Sequence, residues 1–89
     1  MEIEINAMVP GYYKKTKIEL DDGQDLISTL NILSIQDDFN RLKERIIVND
    51  KIAKGINIFV NGYSIQNRDI YKNLNDKDTI LIIPYVSGG

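Results

Sequence analysis

Eighty-nine residues, 43% of them apolar, with a net charge of −2 and neither cysteine nor histidine, narrow what this chain can be. A chain this short buries roughly 60–65% of the surface that its unfolded form exposes, so residues 1–89 are expected to form a single domain. The missing cysteine excludes disulfides, thiolate metal sites and a cysteine nucleophile. The missing histidine removes the commonest general base and the commonest metal ligand, and no bound metal or cofactor is expected. The acidic balance argues against a nucleic-acid partner, which calls for a basic excess on one face. Lys14, Lys15 and Lys17 form the one basic cluster and read as a solvated strand face. No apolar run approaches the ~20 residues needed to cross a bilayer. The first residues lack the basic start and apolar stretch of a signal peptide. A cytoplasmic protein without a membrane segment is the expectation.

Residues 2 to 9 alternate. Ile3, Ile5, Ala7 and Val9 face one way, and Glu2, Glu4, Asn6 and Met8 the other, which is the period of a half-buried strand. Pro10-Gly11 marks a turn, and residues 13 to 20 alternate again, so the first two strands read as an antiparallel hairpin. Asp21-Asp22-Gly23 ends it. Asp22 is the expected helix N-cap, its carboxylate accepting unpaired amide hydrogens of the first turn, with Asp25 placed favourably near the positive end of the helix dipole. Leu26, Ile27, Leu30 and Leu33 then recur at helical spacing as a stripe facing the sheet. In the insert over 35–48, Ile35, Phe39, Leu42 and Ile46 suggest a second short helix, capped by Asp37 or Asp38, while Ile46-Ile47-Val48 reads equally as a short strand. Asn49-Asp50-Lys51 is a turn.

Residues 56 to 60 form a strong strand, followed directly by Asn61-Gly62. That pair between apolar runs signals a hairpin, because a type I′ turn needs positive φ at both central residues. It is assigned a structural role only. Tyr63 to Ile65 start the return strand. Residues 67 to 78 are polar and turn-rich, with Ile70 and Leu74 as inward anchors. Thr79 to Ile83 form the final apolar strand, closed by Pro84, which lacks a ladder donor. The first strand needs a central neighbour. The last strand, apolar on both faces, supplies one in parallel across a long connection. The predicted fold is α+β, a β-grasp: a mixed sheet of four to five strands with one or two helices on one face.

The chain stops at Tyr85-Val86-Ser87-Gly88-Gly89. Residues 82–89 resemble the tail of the molybdopterin-synthase small subunit and its thiamine-pathway relatives. Phe59-Val60-Asn61-Gly62 resembles their Val-Asn-Gly hairpin, and Leu74 to Ile80 their acidic turn leading into the last strand. The resemblance spans the chain and is specific over 56–89. It departs at Tyr85, where molybdopterin members often carry a second proline. A ubiquitin-like sulfur carrier of the molybdopterin type is what this resemblance favours. It implies a mechanism too. An activating enzyme of the ubiquitin-activating type uses ATP to adenylate the Gly89 carboxylate. Sulfur from a donor displaces AMP to leave a thiocarboxylate, and a second, sulfur-accepting enzyme takes the sulfur. The chain is then a carrier and co-substrate with no catalytic residues of its own, or the small subunit of a sulfur-transferring complex.

The residue chemistry suits that use. Five extended residues span at most roughly 17 Å. Gly88, Gly89 and the small Ser87 let the backbone thread a narrow channel, with Val86, Tyr85 and Pro84 behind them. Helices cover only one side of a sheet, so the other is a candidate partner surface. Phe59 is assigned to it or to burial beneath the 35–48 insert. Of the two alternating pairs on the last strand, Ile80/Ile82 and Leu81/Ile83, whichever faces outward belongs to the partner surface, and Ile80/Ile82 is taken as that pair. Two alternatives stand beside the carrier: a ubiquitin-like modifier conjugated to lysines through Gly89, and a non-catalytic β-grasp interaction domain. The paired acids Asp21/Asp22, Asp37/Asp38 and Asp76/Asp78 sit at turns or helix starts and are not read as a cation site.

Overall fold

The computed structural model describes residues 1–10, 12–36 and 39–84. Strands β1 (Glu2–Val9) and β2 (Tyr12–Glu19) form the expected antiparallel hairpin. Helix α1 (Leu26–Gln36) and helix α2 (Phe39–Ile46) follow, then a two-residue hairpin of β3 (Ile47–Val48) and β4 (Lys51–Ile52). Strand β5 (Ile56–Val60), the short β6 (Tyr63–Ser64), a 3₁₀ helix (Asn67–Tyr71) and β7 (Thr79–Pro84) complete the order. The main sheet runs β2-β1-β7-β5-β6. Its central pair, β1 beside β7, is parallel and its other pairings are antiparallel. This is the five-stranded mixed sheet of a β-grasp.

The helix begins at Leu26, which places its cap three residues later than Asp22. Gly23 has φ +85°, so 21–24 turn before the helix starts, and Asp25 becomes its cap. The Ser28 amide donates to Asp25 Oδ1 at 2.7 Å, while the Thr29 amide and hydroxyl both donate to the Asp25 carbonyl, satisfying donors that a bare N-terminus leaves open. Asp22 instead lies 3.7 Å from the Met1 ammonium. The candidate caps Asp37 and Asp38 of α2, and Gly11 of the first turn, lie outside the described residues. The ambiguous stretch at 46–48 divides: Ile46 ends α2, and Ile47 and Val48 pair with Ile52 and Lys51 across Asn49 (φ 52°) and Asp50 (φ 61°).

Register decides which side chains are core. Ile5 pairs with Ile80 and Ala7 with Ile82, and Ile82 in turn faces Ile58. Together with Ile3, Val9 and Ile18 they form one buried cluster with Leu26, Leu30 and Leu33 of α1 and Leu42 and Ile46 of α2. Both helices therefore cover the same face. Ile70 and Leu74 enter this core as expected. Because side chains alternate across a strand, Leu81, Ile83 and Phe59 point to the opposite face. The assignment of Ile80 and Ile82 to a partner surface is thus corrected: both are 0% exposed. A shift of one residue would be needed to turn them outward, and that would move Ile5 and Ile58's partners out of the core as well.

The connection from 61 to 79 is held by side chains. Asn61 (φ 53°) and Gly62 (φ 86°) make the positive-φ hairpin turn. Asn61 Nδ2 donates to Asp78 Oδ1 at 2.7 Å, the Thr79 amide donates to Asn61 Oδ1 at 2.9 Å, and the Asn75 amide donates to Asp78 Oδ2 at 2.8 Å. The buried carboxylate of Asp78 is in this way accommodated. The Ile52 amide donates to Asn67 Oδ1 at 2.8 Å, tying β4 to the 3₁₀ helix. The first strand is clamped at its start by the Glu2 amide donating to Asp76 Oδ1 and by Lys77 Nζ 2.7 Å from Glu2 Oε2. Among the described residues no helix is long and apolar enough to cross a membrane.

Two tests follow from this arrangement. Ile82→Ala, in the core, is expected to cost about 2–5 kcal/mol in urea unfolding. Leu81→Ala, on the half-covered face, is expected to cost clearly less; equal losses would contradict the facing deduced from register. The second concerns acid. The Lys77 hydrogen bond and charge hold Glu2 below its ordinary 4.5, and the Glu2 amide holds Asp76 below its ordinary 3.8. The Gln66 amide and Lys72 hold Asp69 below that same value. Carboxylates lowered by folding contribute stability above their unfolded values and lose it as pH falls through the folded ones. Lys77 is raised, chiefly by Glu2, and its contribution is lost only in strong base. The melting temperature should therefore stay level near neutrality and drop below pH 4.5. Asp76→Asn keeps an acceptor for the Glu2 amide but no titrating group, so its acid drop should be shallower; an identical drop would exclude the Asp76 contribution.

Candidate functional site

The sheet face turned away from the helices is ordered by its rows. At the end from which the chain leaves β7, Tyr13 of β2 sits opposite Met8 of β1. Ile83 lies one step beyond the Ala7–Ile82 pair and so level with Met8, and it faces Asn57 of β5. The next row is Lys15, Asn6, Leu81, Phe59 and Ser64. Behind it come Lys17, Glu4 and Thr79. The face thus grades from apolar beside the tail's point of departure to charged at the far end.

Its apolar members are uncovered to different degrees. Met8 is 52% and Tyr13 71% exposed. Phe59, Leu81 and Ile83 are half-buried by their strand neighbours. Phe59 lies opposite Leu81, on the other side of the sheet from α2, so burial beneath the 35–48 insert is ruled out for it. Leu81 and Ile83, not Ile80 and Ile82, are the pair of β7 turned to this face. In the middle of this face Asn6 Oδ1 is buried with no hydrogen-bond partner among the described residues, a costly state for an acceptor. Lys15 Nζ lies 3.6 Å from Glu4 Oε1 beside it. Pro84 ends β7 opposite Ile56 and is exposed. The remaining predicted tail residues, Tyr85, Val86, Ser87, Gly88 and Gly89, lie outside the described residues.

Met8 and Tyr13 were missed as members of this face when the strands were read one at a time. The signal was present: Met8 is the one apolar residue in the otherwise polar half of the first strand's alternation, and the hairpin register brings Tyr13 opposite it. Among the described residues no group of three or more histidine, cysteine, aspartate or glutamate side chains is placed to hold a metal ion. What this face offers chemically is a contact surface, firm because every strand but the edges is paired on both sides, and directed because the chain departs from its apolar end.

Comparison with known proteins places this geometry. No curated protein gives a significant match. The fold is close to that of the HVO 2177 protein of Haloferax volcanii, with 25% identity and TM-score 0.73 over 100% of this chain and 87% of that one. It is also close to small archaeal modifier protein 1 of Methanosarcina acetivorans, with 26% identity and TM-score 0.68 over 99% and 96% of the two chains. One chain of the protein–protein complex of subunits 1 and 2 of the molybdopterin-converting factor of Helicobacter pylori gives 24% identity and TM-score 0.64 over 100% of this chain and 100% of that one, a likeness of fold. The sequence itself matches the family model described as the ThiS family over residues 3–89. The chain belongs to the ThiS family, a family of ubiquitin-like sulfur carriers and modifiers.

Proposed function

We propose that this protein is a sulfur carrier whose reacting group is the carboxylate of Gly89. An adenylating enzyme attacks nothing on the folded domain. It joins the Gly89 carboxylate to the α-phosphate of ATP, and pyrophosphate leaves. A sulfur nucleophile derived from a donor then adds to the acyl carbon, the acyl–oxygen bond to AMP breaks, and a thiocarboxylate remains. The adenylate is needed because a carboxylate is a poor electrophile and AMP a good leaving group. A sulfur-accepting enzyme consumes the thiocarboxylate and returns the carboxylate. ATP and the sulfur donor are used by the partners, and the domain itself needs no bound cofactor.

The observation that carries this reading is the family match that runs through to Gly89, on a chain whose last strand is central to the sheet and ends at Pro84. A central strand is a firm anchor for a reacting tail, and five residues, if fully extended, span at most roughly 17 Å. The graded face beside the tail, with Met8, Tyr13, Leu81, Ile83 and Phe59, is where both partners would dock. Molybdopterin-type use is favoured by the resemblance of 82–89, and the likeness of fold to a molybdopterin-converting subunit in a two-subunit complex is consistent with it. A second reading, conjugation through the same activated carboxylate to lysines, is supported by the 26% identity with a small archaeal modifier protein. Both begin with adenylation in the cytoplasm.

Removal of Gly89, or one alanine appended after it, should leave the melting temperature unchanged. With the adenylating enzyme of the same cell, ATP–pyrophosphate exchange should fall to background for both variants. Undiminished exchange by either would exclude Gly89 as the adenylated group.

A further inference from the structure

Strand β2 is an edge of the main sheet, and no strand among the described residues pairs with its outer side. The hydrogen bonds identify which of its backbone groups are open. The Leu20 amide donates to the Met1 carbonyl and the Met1 ammonium donates to the Leu20 carbonyl, so positions 1 and 20 form a bonded pair. With the two-residue period of an antiparallel ladder, the pairs Ile3–Ile18, Ile5–Thr16 and Ala7–Lys14 are bonded too. The even positions of β1 turn the other way, as the Lys77 amide on the Glu2 carbonyl and the Glu4 amide on the Asp78 carbonyl show. Tyr13, Lys15, Lys17 and Glu19 therefore aim their amides and carbonyls outward along an edge eight residues long.

Edge strands of this length are a template for another strand. The side chains decide which. Tyr13, Lys15, Lys17 and Glu19 are all exposed, and Lys14 adds a third cation on the helix-side face. The strand itself carries three lysines and one glutamate in a chain of net charge −2, and Lys15 is shared with Glu4 of β1 at 3.6 Å. A second copy fits badly: full antiparallel overlap of two β2 strands sets Lys15 against Lys17 of the other copy, and parallel overlap sets Lys15 beside Lys15. Like charges directly opposite across strands are unfavourable, and opposite charges favourable.

We propose that the β2 edge binds an extended acidic segment of a partner protein by strand addition, with carboxylates opposite Lys15 and Lys17 and an uncharged side chain opposite Tyr13. Backbone hydrogen bonds supply the attachment and the lysines the selection. This edge lies beside the graded face but does not require the tail, so it is tested without adenylation.

The probe is a capped eight-residue peptide alternating Glu with Thr, added to the intact protein and followed by amide NMR and hydrogen exchange. Exchange should slow at Tyr13, Lys15, Lys17 and Glu19 and stay unchanged at Lys14, Thr16 and Ile18, which are already bonded. Binding of this peptide should weaken roughly tenfold in the Lys15→Glu/Lys17→Glu double variant, which should instead prefer a peptide carrying Lys in place of Glu. Lys15→Ala is the milder second variant, expected to weaken binding without reversing the preference. Slowing confined to the β6 edge or the open face, or equal binding of both peptides to the unaltered protein, would overturn the proposal. So would tighter binding of a single-stranded oligonucleotide than of the acidic peptide, or concentration-dependent dimerisation through β2.

Discussion

The parallel pairing of β1 with β7 is the constraint on which the rest depends. It puts the last strand at the centre of the sheet, between β1 and β5. It sets Ile5 against Ile80 and Ala7 against Ile82, and so decides which half of an apolar strand belongs to the core. It also decides where the chain emerges: level with Val9, at the end of the face that carries Met8, Tyr13 and Ile83. A parallel neighbour cannot be joined by a short turn, and the intervening sixty-odd residues, counted roughly, supply both the helices that cover one face and the β5–β6 hairpin that flanks β7. The Asn61–Asp78–Thr79 hydrogen bonds hold the start of β7 to the turn of that hairpin, so the registers of both neighbours of β7 are fixed together.

Much of this was legible in the sequence for reasons that are local. The alternation of residues 2–9, the Asn61-Gly62 turn and the strand at 56–60 each carry a pattern that one backbone conformation satisfies and others do not. The parallel partnership of first and last strands followed from an edge that needed cover and a strand apolar on both sides. The facing of β7 was not legible, for the same reason: Ile80, Leu81, Ile82 and Ile83 are equally suited to a core, and only the register with Ile5, Ala7 and Ile58 separates them. The helix start was misread because Asp21, Asp22 and Asp25 all qualify as caps. Gly23 in a positive-φ conformation delays the helix and leaves Asp25 to do it. At 46–48 the two competing readings were both partly right, since the helix ends where the short strand begins.

The candidate face was half legible. Phe59 follows from alternation within β5, whereas Met8 and Tyr13 join it only through the pairing of β1 with β2. A face assembled from four strands is a property of register, which no single strand's pattern contains. Its physical character suits an interaction domain with a directed tail: firm where strands are paired on both sides, apolar where the chain departs, and charged where it does not. The chain belongs to the ThiS family, and the two uses proposed for its tail, sulfur transfer and conjugation, share the activation of one carboxylate.

The intact mass of untagged protein isolated from its own cells, with the modified group mapped by fragmentation, tests the carrier reading most directly. Replacement of one oxygen by sulfur, located at Gly89, is the expected result. A terminal carboxylate that stays unmodified when ATP, a sulfur donor and the adenylating enzyme are all supplied, or chains found joined through Gly89 to lysines of other proteins with no thiocarboxylate present, would contradict it.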